Sequence, residues 1–312
     1  EVCAAIAKAA GCETADVLPF STGVIGQQMN AAALSAPAPA LVAELAADGW
    51  QHAAAAIMTT DTRAKIRSVE VNEGGQRFAV TGIAKGSGMI KPDMATMLGY
   101  VATDAKVAPA VWKAIAARAT DVSFNRITVD GDTSTNDALV LMATGAADMP
   151  VIDSPQHPLY AHLAAAVEAV CIGLAQDIIR DGEGATKFIT VRVSGGYSER
   201  DCVRVAYAVA ESPLVKTAMF ASDANWGRIL AAVGRAGAEQ LAIEEVNLAI
   251  GGLPIVIGGE PAPNYTEAEG SAIMKKPEID IDITIGRGAE SATVWTCDFS
   301  YDYVKINAEY RS

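Results

Sequence analysis

The feature that most restricts the fold is residues 159–180, where apolar side chains recur at the helical period and Gly182 and Gly184 stand at the expected C-terminal stop. A helix with so long an apolar face has to bury it against another layer of structure. Soon after it, Ile189-Thr190-Val191-Arg192-Val193 alternates as a strand ended by Gly195-Gly196. A chain of 312 residues that is 51% hydrophobic and 20% charged, carrying both kinds of element, belongs to the α/β or α+β class. Aromatics make up only 6%, and abundant Ala and Gly favour close packing of small side chains.

Other elements read less sharply. Residues 1–11 form an Ala-rich helix, Val17-Leu18-Pro19-Phe20 a short apolar segment, and residues 21–26 a backbone turn. A helix is expected over 39–47, opening on Pro39 and stopped by Asp48-Gly49. Ile57-Met58-Thr59-Thr60 and residues 77–85 read as strands, 97–101 as an apolar stretch, and 109–119 as a helix. Ser212-Pro213 supplies an N-cap and first helical residue. Residues 246–249 and 254–257 flank Gly251-Gly252 as a hairpin, and 278–285 alternates acidic or polar residues with Ile, as a half-solvated strand of an antiparallel sheet does. The change to strand-rich sequence divides the chain into a catalytic α/β core, 1–187, and an α+β C-terminal domain, 188–312.

Several function classes drop out. A net charge of −13 argues against nucleic acid as a partner. The five cysteines are odd in number, widely spaced and without a CxxC pair, so they read as free thiols of a reducing, cytoplasmic compartment. His52, His157 and His162 show no metal-ligand spacing, no metal site is expected, and none sits where a Ser-His-Asp hydrolase would need it. No uninterrupted apolar run reaches bilayer length, because Glu168 breaks the most apolar stretch, so no membrane partner is expected. The chain opens on Glu1-Val2-Cys3-Ala4 with neither an initiator Met nor a basic signal-peptide region, as if entering mid-helix, which leads one to expect more chain upstream.

Three polar segments could carry chemistry. Residues 125–137 are rich in Asp, Thr, Ser and Asn; such a run is usually an exposed loop, yet its place between apolar segments suits a hydrogen-bonded network or a site. Lys85-Gly86-Ser87-Gly88 has the wrong order for a phosphate loop, so its glycines read as a sharp bend or a close approach to ligand, with Lys85 beside them to anchor a carboxylate. Thr96, in Asp93-Met94-Ala95-Thr96-Met97, reads blandly as the start of a strand. The sharper reading is a nucleophile. An N-terminal threonine brings its own base, since an α-amine titrates at about 7.7–8 in model peptides, close to working pH. Exposing that amine requires the hydroxyl to attack the preceding carbonyl, and small Ala95 leaves room for it.

The motifs around these residues resemble the ornithine acetyltransferases, the glutamate N-acetyltransferases of arginine biosynthesis. They are STGVIG at 21–26, TTDT at 59–62, KGSGMIKPDMATMLGY at 85–100, FNRITVDGDTSTND at 124–137, RDGEGATK at 180–187, KTAMFASDANWGRI at 216–229 and INAEYRS at 306–312. The resemblance implies a layered αββα-type sandwich of the N-terminal-threonine acyltransferase kind with a β-rich C-terminal domain. It implies self-cleavage between Ala95 and Thr96 into chains 1–95 and 96–312, assembled as α2β2. Thr96 would take acetyl from N-acetylornithine and pass it to glutamate, with Thr22 and Gly23 as the oxyanion hole. Thr62, Lys85, Thr96, Glu183, Asn307 and Ser312 match its substrate-contacting positions; Lys85 would pair with the α-carboxylate and Glu183 with an ammonium. No cofactor is implied, and acetyl-CoA stays open as a second donor. Members usually have a longer N-terminal part of the first chain, and many carry Thr where Ser312 stands. Asn225-Trp226-Gly227-Arg228 also matches, and reads as a packed turn. Two rivals remain: an N-terminal-nucleophile aminopeptidase or amidase, in which water resolves the acyl-enzyme, and an uncut binding protein on the same fold.

Overall fold

The computed structural model describes residues 1–91 and 97–309. It opens with four short helices, α1 (Val2–Ala10), α2 (Ala31–Ser35), α3 (Ala38–Ala43) and α4 (Trp50–Ala56). Strands β1 (Lys65–Glu73) and β2 (Gln76–Lys85) follow as an antiparallel pair in unbroken register from Lys65↔Ala84 to Glu73↔Gln76. Gly74 and Gly75 join them with φ of 56° and 75°, the double left-handed turn that matches the twist of a hairpin and that residues with a Cβ resist.

β3 (Leu98–Thr103) lies antiparallel to β2, pairing from Lys85↔Leu98 to Val80↔Thr103. The chain then crosses over through α5 (Pro109–Asp121) to β4 (Ala138–Ala143), which runs parallel to β3 from Leu98↔Ala138 onward. The first sheet therefore has the order β1-β2-β3-β4. Helix α6 (Tyr160–Arg180) lies across β1 and β2. Its Val167, Val170, Leu174 and Ile178 are fully buried in one cluster with Phe78, Val80 and Val101 of the sheet. Among the described residues α6 is the one helix long and apolar enough to cross a membrane, and this core accounts for that apolar face.

β5 (Phe188–Gly196) begins a second, mixed sheet. After it come α7 (Glu199–Ala210), α8 (Pro213–Phe220), α9 (Trp226–Gly234), β6 (Asn247–Ile250), β7 (Leu253–Ile257), β8 (Glu260–Pro261), α10 (Glu267–Met274), β9 (Glu278–Thr284), β10 (Glu290–Cys297) and α11 (Tyr301–Glu309). The strand order is β10-β5-β9-β6-β7-β8, with β5 and β9 parallel and the other neighbours antiparallel. α7 covers β5 and β10 and, with α9, closes a second core around Val191, Val193, Val205 and Ile281. Phe188, Trp295 and Cys297 also join the first core, so the two sheets share packing where they meet. The chain is a mixed α/β protein of layered sheets and helices, as its class predicted.

Local expectations fared unevenly. The helices at 109–119 and 159–180, the strand at 189–193, the Ser212 cap and the hairpin around Gly251-Gly252 are all present. The strand expected at 57–60 is absent: Ile57 caps α4, because the Ala-rich run before it is helical and its backbone carbonyls claim the Ile57 N–H. The helix expected at 39–47 ends at Ala43 and is preceded by α2, which the featureless Ala pattern concealed. β9 sits between parallel β5 and antiparallel β6 rather than in a wholly antiparallel sheet. Its Asp280 and Asp282 are half-solvated as expected, and both pair with Arg192 of β5 at 3.0 and 3.1 Å.

Candidate active site

β2 ends on Lys85, and the chain then turns through Ser87-Gly88-Met89 along a cavity of about 290 Å³. Five other segments complete the wall: 22–25, Thr59-Thr60, Ser134 with Asn136, Glu183 just beyond α6, and Asn307 on α11. Lys85 is only 6% exposed, and among the described residues its ammonium makes no hydrogen bond or ion pair. Burial pulls its pKa below the ordinary lysine value, against the opposing pull of Asp61, Asp137 and Glu183.

A buried charge network anchors the base of this loop. Lys65 on β1 bonds Asp61 at 2.5 Å and Asp181 at 2.6 Å, with all three side chains almost wholly enclosed. Asp61 also accepts the Gly86 N–H at 2.7 Å and the Thr59 N–H at 3.1 Å. Burial works to raise the Asp61 pKa, but the Gly86 N–H, Lys65 and the Thr59 N–H outweigh it and hold the carboxyl below its usual range. One carboxylate thus fixes both Thr59, at one wall, and the residue next to Lys85.

Glu183 is placed from two sides. Its N–H donates to the Ser87 carbonyl at 2.7 Å, and its carboxylate accepts Asn307 Nδ2 at 3.0 Å. Gly88 leaves room for the Glu183 carboxylate, which a Cβ there would displace. α11 is held over this corner by the Ser300 hydroxyl, which donates to the Gly184 carbonyl at 2.6 Å.

The polar run 125–137 is a network rather than a free loop. Asp130 accepts the N–H groups of Met89 and Ile90 at 2.6 and 2.9 Å and lies 3.4 Å from the Tyr303 hydroxyl. It thereby secures Met89 at φ 51°, a left-handed conformation that costs about 1–3 kcal/mol for a residue with a side chain. The Thr133 hydroxyl donates to the Lys91 carbonyl at 3.0 Å, and Asn136 Nδ2 donates to the Ser21 carbonyl at 2.5 Å. That last bond ties the turn carrying Thr22 and Gly23 to the rest of the wall.

Of the residues singled out from sequence, Thr22, Gly23, Lys85, Glu183 and Asn307 come together on the cavity. Thr62 is not in its lining: its N–H and its hydroxyl both donate to Asp181, which turns it toward the buried network. Ala95, Thr96 and Ser312 lie outside the described residues. The histidines do not line the cavity; His157 Nδ1 accepts the Leu159 N–H ahead of α6. All five cysteines are free. Among the described residues no three His, Cys, Asp or Glu side chains cluster to hold a metal. Asn225 caps α9 and Arg228 bonds the Leu214 carbonyl, so that motif is structural. Sequence reasoning missed Thr59, Thr60, Ser87, Ser134 and Asn136 as wall residues, although each lies inside a motif it had noticed.

A small cavity offering one buried ammonium, one carboxylate and several hydroxyl and amide groups suits a zwitterionic ligand of amino-acid size. Comparison with known proteins agrees. The model of the ArgJ family matches residues 1–312. The arginine biosynthesis bifunctional protein ArgJ of Psychrobacter arcticus is 57% identical over 312 residues, all of this chain and 77% of its own length. Its counterpart in Pseudomonas syringae pv. tomato is 52% identical over 310 residues, covering 99% of this chain and 76% of its own. The crystal structure of the arginine biosynthesis bifunctional protein argJ from Bacillus halodurans superposes with a TM-score of 0.66 at 41% identity, over 69% of this chain and 100% of that one. The chain belongs to the ArgJ family.

Proposed function

We propose that this chain, an acetyltransferase of arginine biosynthesis by its family, cuts itself between Ala95 and Thr96 and moves acetyl from N-acetylornithine to glutamate through acetyl-Thr96. Thr22 and Gly23 receive the oxyanion, Lys85 the substrate α-carboxylate, and Glu183, steadied by Asn307, the ammonium. Thr62 acts through Asp181 and the network around Lys85, and Ser312 contributes a hydroxyl. Acetyl-CoA serves as a second donor to glutamate. The cut chains 1–95 and 96–312 assemble as α2β2 in the cytoplasm, with 1–187 as the catalytic core and 188–312 as the C-terminal domain.

The observation that carries this reading is convergence. Residues as far apart in sequence as Thr22, Lys85, Glu183 and Asn307 line one cavity, and Ser87-Gly88-Met89 in its wall lead along the chain to Ala95-Thr96. Intact-mass spectrometry with and without N-acetylornithine tests it. Two chains are expected, with an acetyl adduct on 96–312 that labelled glutamate removes as N-acetylglutamate. A single uncut chain that is active, or release of free acetate in place of transfer, would overturn it, the latter in favour of a hydrolase. Thr96→Ala should leave the chain whole and inactive.

A further inference from the structure

We propose that Lys216 is a positioning residue for recognition of the substrate ammonium, acting through the corner in which Glu183 meets Asn307. This rests on the reading of Glu183 as the ammonium contact and deepens it. Lys216 stands on α8, outside the cavity lining, and is 1% exposed. Its Nζ donates to the Thr296 hydroxyl at 2.8 Å and to the Cys297 carbonyl, and lies 4.6 Å from the centre of the Phe299 ring. Its own carbonyl accepts the Phe299 N–H at 3.2 Å. One lysine therefore holds residue 297 by its side chain and residue 299 by its main chain, where the chain leaves β10 for α11.

The consequence lies in what this span touches next. Asp298, between the two held residues, is fully buried and accepts the Thr186 N–H at 2.8 Å, the Lys187 N–H at 2.9 Å and the Thr186 hydroxyl at 2.5 Å. Ser300 bonds the Gly184 carbonyl, and the Phe299 ring stacks on Tyr303 of α11 with centroids 4.6 Å apart. Residues 298–300 thus hold the backbone directly after Glu183, while the helix they lead into brings Asn307 to the Glu183 carboxylate. There is little slack, since a Cβ at Gly184 would overlap the Tyr303 nitrogen and one at Gly182 would crowd the Cys297 sulfur. Both sides of the Glu183–Asn307 contact are set from one segment, and Lys216 sets the segment.

The residue type points the same way. The Lys216 nitrogen is sealed from water and, among the described residues, forms no ion pair, so uncharged oxygens have to offset its desolvation. Burial pulls its pKa below the ordinary lysine value, against the opposing pull of Cys297, Asp298, Asp130 and Glu211. A methionine would fill the same space with less desolvation but could hold no carbonyl, so what the lysine adds is direction. A small displacement of Glu183 weakens its charge-assisted bond to a ligand ammonium and leaves contacts with the rest of the ligand in place.

The test compares N-acetylornithine with N-acetylnorvaline, the same chain without the side-chain ammonium. Transfer to labelled glutamate gives KM for the first, and competition against it gives Ki for the second. Lys216→Met should raise that KM about tenfold, with kcat and Ki each within about twofold of wild type. In a Glu183→Gln background, where KM has already risen, Lys216→Met should add less than about twofold, because both substitutions act on one contact. A KM that does not rise, a rise matched by Ki, or effects that multiply in the double variant would each overturn the inference. Should Lys216→Met fail to melt cooperatively or to turn over, Thr296→Val, which takes one acceptor from the lysine, decides in its place. An increase of about threefold in the same KM with Ki unchanged supports the inference, and no increase or a matched one overturns it. Glu183→Gln with an unchanged KM would overturn the Glu183 reading itself, a different result from Glu183→Gln raising KM while Lys216→Met does not.

Discussion

Lys65→Met removes the one cation that Asp61 and Asp181 share. The Lys65 side chain is 1% exposed, and those of its partners are 0% and 3% exposed, so both carboxylates would be left desolvated beside each other. Breaking a buried pair by deleting one member costs about 3–5 kcal/mol, because the orphaned charge keeps its desolvation penalty. At about 2 °C per kcal/mol for a chain of this size, Tm should fall by about 6–10 °C near neutral pH. The pH dependence carries the sign. In wild type the Asp61 pKa is lowered, so its contribution is present above the unfolded carboxylate pKa and is lost as pH falls through the folded value. In the variant, burial without the lysine raises the folded Asp61 pKa, so stability is lost as pH rises through it. The gap between the proteins should be widest near about pH 7 and close toward about pH 4. Thermal melts by circular dichroism at matched scan rates read this directly. A Tm loss below about 2 °C, or an equal loss at both ends of the range, would refute the reasoning.

Three further expectations are narrower. Gly88→Ala should push the Glu183 carboxylate off Asn307 and raise KM for the amino-acid substrate about tenfold, about 1.4 kcal/mol, with a smaller change in kcat; steady-state kinetics would show it. Because the Lys85 pKa is lowered, its grip on a substrate carboxylate is full below that value and is lost as pH rises through it, earlier than for an ordinary lysine; KM measured against pH checks the sign. Ser212→Ala removes the side chain that caps α8 at Val215 and should cost about 1 kcal/mol, lowering Tm by about 2 °C without altering KM.

The extent to which the fold could be read from sequence followed how strongly each element signals locally. α6 and β5 stood out because their apolar residues follow one period without interruption. α2 and α4 did not, and α3 was expected to run past its end at Ala43, since an Ala-rich stretch has helix propensity but little amphipathic contrast to mark where each turn begins or stops. β1 was missed because charged residues fall on both of its faces, Arg67 pairing with Asp177 of α6 on one and Glu70 with Arg77 of β2 on the other, which blurs the alternation. At the site, Lys85, Glu183 and Asn307 were found through ordered motifs, and the turn at residues 21–26 through its glycines. What stayed hidden was pairing at a distance. Nothing in the local sequence joins Asp61 to Gly86 or Asp130 to Met89, because each link depends on strand register or a crossover.

The ladder between β2 and β3 has one more consequence. A cut between Ala95 and Thr96 would fall between two strands that are hydrogen-bonded neighbours, leaving β1 and β2 on one fragment and β3, β4 and the overlying α6 on the other. The enzyme would then be a complementation complex with a single shared sheet. Its unfolding would yield two molecules from one, so its midpoint would shift with protein concentration where that of the uncut chain would not.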